Sequence, residues 1–195
     1  MRAPNYWSSD WTCGAHGAVL PLQPPKNPSN EGLQAVLRDA RVPLWVPWPL
    51  PLGWLVTGFM HAGDDRTGSR ACAVALSGPS LLRGPADMLL VAEDLGVGLG
   101  AYLAGLAGPD PGGGFDASPP HAKAEIRGHP VPLWAVEAEP DRAVYVGEAL
   151  GRWLWAVLWP SDSGVLMLEE LHLRDLRDPD MALDVPYGAI CPRLH

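Results

Sequence analysis

Five side chains near turn-forming stretches carry acid or imidazole groups: His61, Asp64, Asp65, Glu93 and Asp94. Carboxylates and a histidine drawn together can hold a metal-activated water or divide acid and base duties in hydrolysis. Asp64, Asp65 and Glu93 are therefore the candidate catalytic residues. Their spacing carries no signature of such a site, and Asp64-Asp65 before Arg66 reads equally as a solvated turn with a local ion pair. No G-x-S-x-G elbow is present; Ser77-Gly78-Pro79-Ser80 reads as a turn between strands. In Gly96-Val97-Gly98-Leu99-Gly100 the third glycine of a dinucleotide-binding loop would fall at Leu103, so that fingerprint fails.

Two other groups of residues stand out. Residues 42–54 read V-P-L-W-V-P-W-P-L-P-L-G-W, with Trp45, Trp48 and Trp54 on a backbone that proline stiffens and strips of donors. Packed inward, these tryptophans would form a lid on the core, which is the preferred reading because exposed indoles invite aggregation. Left outward, Trp45 and Trp48 would be anchors for an unknown protein partner. Cys13-x-x-His16-Gly17 has the spacing of half a zinc knuckle, a thiolate and an imidazole turned towards one tetrahedral ion. Four ligands are needed. Cys72 and Cys191 stand alone, so by itself the pair reads as a cysteine and a surface histidine.

These residues must be held by regular elements, and most of the chain signals strands. Residues 54–61 and 70–77 flank a Gly/Asp-rich turn and predict a hairpin; 88–92 predict a further short strand. Residues 121–127 alternate, with Ala122, Ala124 and Ile126 on one face and His121, Lys123, Glu125 and Arg127 on the other, which predicts a half-exposed strand turning into 131–137. Residues 143–149 and 152–159 are joined by Leu150-Gly151 and predict another hairpin. Its second strand, apolar on both faces, belongs in the middle of a sheet, with Leu154 and Trp155 buried on opposite sides.

Helices are expected over 30–40, where Leu33, Val36 and Leu37 form a narrow stripe, within 96–107, and over 164–178, which is rich in Leu, Met, Glu and Arg. Residues 21–30 carry four prolines and read as a linker, and 108–120 as a mobile Gly/Pro loop. The expected fold class is α+β: an antiparallel sheet built from hairpins and covered by two or three helices. The expected organisation is an N-terminal segment over 1–20, a linker over 21–30 and one domain over 31–195.

Composition narrows the class further. Fourteen Lys and Arg against 22 Asp and Glu give a net charge of -8, and the arginines are scattered singly, so no nucleic-acid surface is expected. Proline and glycine interrupt every apolar run before it could cross a bilayer, and Met1-Arg2-Ala3-Pro4-Asn5-Tyr6-Trp7 lacks the pattern of a secretory signal. No membrane association is expected. Three widely spaced cysteines make no disulfide framework, and a reducing cytoplasm is the expected compartment.

Several strings carry a resemblance: Arg2-Ala3-Pro4, Trp11-x-Cys13-x-x-His16-Gly17, Pro21-Leu22-Gln23-Pro24, Val46-Pro47-Trp48-Pro49-Leu50-Pro51-x-Gly53-Trp54, Ala62-Gly63-Asp64-Asp65-Arg66, Trp153-Leu154-Trp155 and Asp175-Leu176-Arg177-Asp178. Together they are similar to an uncharacterised actinobacterial family, a domain of unknown function with an N-terminal zinc-ribbon-like segment, over almost the whole chain. The resemblance implies a C-x-x-C pair upstream of Arg2-Ala3-Pro4 that completes a site with Cys13 and His16. A longer form of the protein is expected to bind zinc there, and this chain, a truncated ribbon, to hold none. The resemblance implies no activity. The expected function is a non-catalytic intracellular binding or regulatory module; the alternative is a small hydrolase or transferase using the acidic loop residues.

Overall fold

The structure is a computed structural model and describes all residues except 7–9, 15–16, 182–184 and 195. A small antiparallel hairpin comes first, β1 (Thr12–Cys13) and β2 (Gly17–Ala18), with Arg2 bridged to Thr12. Helix α1 (Asn30–Leu37) follows, its first turn capped by the Ser29 hydroxyl, which accepts from Gly32 N–H. Nine strands then build one sheet: β3 (Trp45–Pro47), β4 (Leu55–Asp64), β5 (Gly68–Pro79), β6 (Pro85–Glu93), β7 (Ala122–Ile126), β8 (His129–Val136), β9 (Ala143–Ala149), β10 (Arg152–Trp159) and β11 (Leu171–Asp175). Helix α2 (Leu99–Ala104) lies between β6 and β7, and a 3-10 helix over Ser161–Leu168 precedes β11.

The strand order is β3-β11-β7-β8-β9-β10-β6-β5-β4. Neighbours are antiparallel except β11 and β7, which run parallel. The sheet is thus mixed, and it curls until β3 packs across the interior against β5 and β6. This corrects the expectation of an antiparallel sheet covered by helices: among the described residues strand outweighs helix by 41% to 12%, and the three helices are short. A curled sheet covers much of its own inner face, so little helix is needed to bury it.

The largest departure lies at residues 164–178. The good helix formers there give only the 3-10 turn and then a strand, because pairing with β7 on one side and β3 on the other outweighs local propensity. Leu171, Leu173 and Asp175 point inward while His172 and Arg174 point out. Asp175 is 3% exposed and fully engaged: its carboxylate accepts from Leu44 N at 3.1 Å, from Arg177 N at 3.0 Å and from the Arg177 guanidinium at 2.7 Å. That carboxylate ties the residues entering β3 to the end of β11.

Strand β10 is central, as its two apolar faces require. Leu154, Ala156 and Leu158 join the inner core with Leu90, Val74, Leu133, Trp45 and α1, while Trp155, Val157 and Trp159 join an outer core under α2 and the C-terminal segment. Both Leu154 and Trp155 are 0% exposed. The Gly/Pro loop over 108–120 is pinned to the outer side: Phe115 packs edge-on against Trp134 and Trp153, and Asp110 accepts from the Trp153 indole at 2.7 Å.

Both sheet edges are protected. Residues 21–26 run along β4, where Lys26 and Phe59 exchange backbone hydrogen bonds and Gln23 N donates to His61 O. Residues 186–191 continue that cover towards the start of β4 through Val56 and Thr57. At the other edge, β3 is short and contains Pro47, features that discourage a further strand from pairing. Among the described residues no helix is long and apolar enough to cross a membrane.

Candidate functional site

The acids singled out in the sequence are each engaged by the fold. Asp64 closes the β4–β5 turn: its Oδ1 accepts from Arg66 N, Thr67 N and the Thr67 hydroxyl at 3.1, 2.9 and 2.8 Å, and its Oδ2 accepts from the Trp11 indole at 2.8 Å. Those donors, the indole foremost, hold its pKa down to about 2. Asp65 is exposed on the same turn.

Glu93 lies at the end of β6, 0% exposed, and accepts from Leu99 N at 2.6 Å and Gly100 N at 3.2 Å, so it caps α2 from beneath. Burial pushes its pKa up to about 7 against the pull of the two amides. The Trp155 indole N–H lies near enough to favour the carboxylate too, but outside hydrogen-bond geometry. Asp94 bridges Arg70 at 2.8 Å and Arg152 at 3.1 Å.

All four carboxylates sit at one end of the sheet, yet they serve different surroundings. His61 does not join them. It is 6% exposed on β4, in register with Cys72, and burial depresses its pKa. Burial pushes the Cys72 thiol up to about 12, where it is no nucleophile. Among the described residues no group of three or more His, Cys, Asp or Glu is placed to hold a metal ion. Cys13 sits half-buried on β1 opposite Gly17; His16 lies outside the described residues, so the pair's geometry is not defined.

The tryptophans divide. Trp45 and Trp54 are buried at 2% and 3% exposure, Trp45 within the inner core. Trp48 is half-buried and lines an open cleft of about 600 Å³ on the outer side of the curled sheet. Its walls come from three places: Trp48-Pro49 after β3, Glu125, Arg127 and Gly128 around the β7–β8 turn, and His172, Arg174 and Asp178 on and after β11.

Parallel pairing sets His172 opposite Glu125, and their side chains meet at 3.1 Å. Trp48 N donates to His172 O at 2.8 Å, which sets the two residues opposite each other at the cleft. Arg174 reaches Asp180 at 3.0 Å. Arg127 has no partner among the described residues and adopts φ of 53°, a left-handed conformation that costs a non-glycine residue about 1 kcal/mol or more. Gly128 follows at φ of 78°, so the two residues make the tight turn that a two-residue hairpin favours.

Chemically the cleft combines an aromatic face, two arginines and a histidine–carboxylate pair, with no thiol or hydroxyl among the side chains that line it. Alternation along residues 121–127 already set Glu125 and Arg127 on an outward face. His172 and Arg174 were missed because the strand that displays them reads as helix.

The profile of a family of unknown function, DUF6758, matches residues 1–194. The chain belongs to the DUF6758 family. That membership extends over the whole fold, cleft included, and brings no activity, ligand or metal with it. No curated protein and no solved structure matches this DUF6758 chain.

Proposed function

We propose that this DUF6758 protein is a non-catalytic binding module and that the Trp48 cleft is where its ligand sits. One observation carries the reading: a half-buried indole lines the same cleft as Arg127, a guanidinium without a partner among the described residues. The acids a hydrolase would draw on support the same reading, since Asp64 closes a turn and Glu93 caps a helix out of reach of solvent.

The test is fluorine NMR on protein labelled with 5-fluorotryptophan, screened against a set of small polar metabolites. The Trp48 resonance is assigned by its loss in Trp48→Phe. At least one compound should move that resonance while leaving those of buried Trp45 and Trp155 in place. A screen in which only other tryptophans respond would overturn the assignment of the cleft.

A further inference from the structure

We propose that the ligand of the Trp48 cleft is a small organic monoanion, a planar or apolar body bearing a carboxylate, with the carboxylate clasped by Arg127 and Arg174 and the body lying on Trp48. This rests on the cleft being the binding site.

The strand register supplies part of the geometry. Leu173 pairs with Ile126, the last residue of β7, and the residues that follow them, Arg174 and Arg127, both line the cleft. Two guanidiniums thus stand next to the row in which Trp48, His172 and Glu125 follow one another across three strands. A guanidinium offers paired N–H donors in a plane that matches a carboxylate, which a lysine in its place would not. An indole offers a flat apolar face for whatever the carboxylate is attached to.

The charges already in the cleft say what is left to fill. Glu125 is taken by His172 at 3.1 Å. Among the described residues the acid that holds Arg174 is Asp180, whose side chain is 72% exposed, and so solvated a bridge contributes little and exchanges readily for a ligand oxyanion. Among the described residues nothing engages the donors of Arg127. Asp178 also lines the cleft and opposes a second negative charge, which favours a carboxylate over a dianionic phosphate.

Three probes separate these elements: benzoate carries a ring and one charge, phenyl phosphate a ring and two at pH 8, and benzamide a ring and none. Each is titrated into the protein while the Trp48 indole N–H signal, assigned with Trp48→Phe, is followed by NMR. Benzoate should bind about tenfold more tightly than benzamide, the gain expected of a charge-assisted pair, and phenyl phosphate should bind no better than benzoate. Arg127→Gln, a change on an exposed turn, should bring benzoate down to the level of benzamide, with Arg127→Lys in between. Equal binding of benzamide and benzoate would leave the cleft as a ring site and overturn the anion. Tighter binding of phenyl phosphate would overturn the preference for a monoanion. If none of the probes moves the Trp48 signal, while the metabolite screen finds compounds that do, the anion inference falls alone; silence in both experiments removes the cleft as well.

Discussion

At the scale of single residues, Glu93 shows how a buried acid can belong to structure instead of chemistry. Its folded pKa, up to about 7, stands above the usual carboxyl value of 4.5, so the folded state keeps a proton that the unfolded chain releases between those limits. Linkage then fixes the sign: the contribution to stability is fully present below pH 4.5 and is lost as pH rises through 7. Glu93→Gln keeps one acceptor oxygen, enough for the shorter bond from Leu99 N, and carries no charge at any pH. Relative to the parent it should gain stability of roughly 1–3 kcal/mol between pH 5 and pH 8, measured by urea unfolding at both values. Parallel profiles for the two proteins would show that the carboxylate is not desolvated. From the sequence, Glu93 looked like one more acid beside a loop. Nothing local reveals that α2 folds back over it, because the contact that defines its role is made by residues on a different layer.

Asp175 hid an element for a related reason. Inward-facing Leu171 and Leu173 with outward His172 and Arg174 begin an alternation, but a charged residue stands where the third apolar one should be and breaks it. At the scale of elements, hairpins with short turns and regular alternation were legible: β4 with β5, β7 with β8, and β9 with β10. The strands closed by distant partners were not, since β11 draws its two neighbours from residues 45–47 and 124–126. Strand β10 gives the firmest prediction at this scale. Trp155 is 0% exposed and lies directly under Gly100 of α2, where a Cβ would collide with the indole. Trp155→Ala should cost about 3–5 kcal/mol, and Gly100→Ala should destabilise as well, both read from denaturant midpoints at constant slope. An unchanged midpoint for Trp155→Ala would move β10 to the periphery.

For the whole molecule, the sheet has two ends to hide and hides them differently. The β3 edge is made short and carries a proline; the β4 edge is long and is covered by residues 21–26 and 186–191. Residues 188–194 therefore act on association as well as stability, because Cys191 and Leu194 are 3% and 4% exposed and sit against the outer core. Ending the chain after Tyr187 should bare backbone groups along the first half of β4 and leave an apolar groove beside them. The shortened protein should melt earlier and associate with rising concentration, as read by light scattering after size exclusion, while the full chain shows no such dependence under the same conditions. Equal behaviour of the two would show that the segment merely rests on the surface.

The cleft is assembled from residues 48–49, 125–128 and 172–178, three stretches separated by most of the chain, and it exists only where β11 has slotted in beside β7. During synthesis the sheet from β4 to β10 can pair while the ribosome is still adding residues, but β11 is made after all of them, and β3, made early, lacks its sheet neighbour until β11 arrives. A chain interrupted anywhere before residue 171 can carry most of the core and none of the cleft. An assembled cleft therefore reports that synthesis has passed β11.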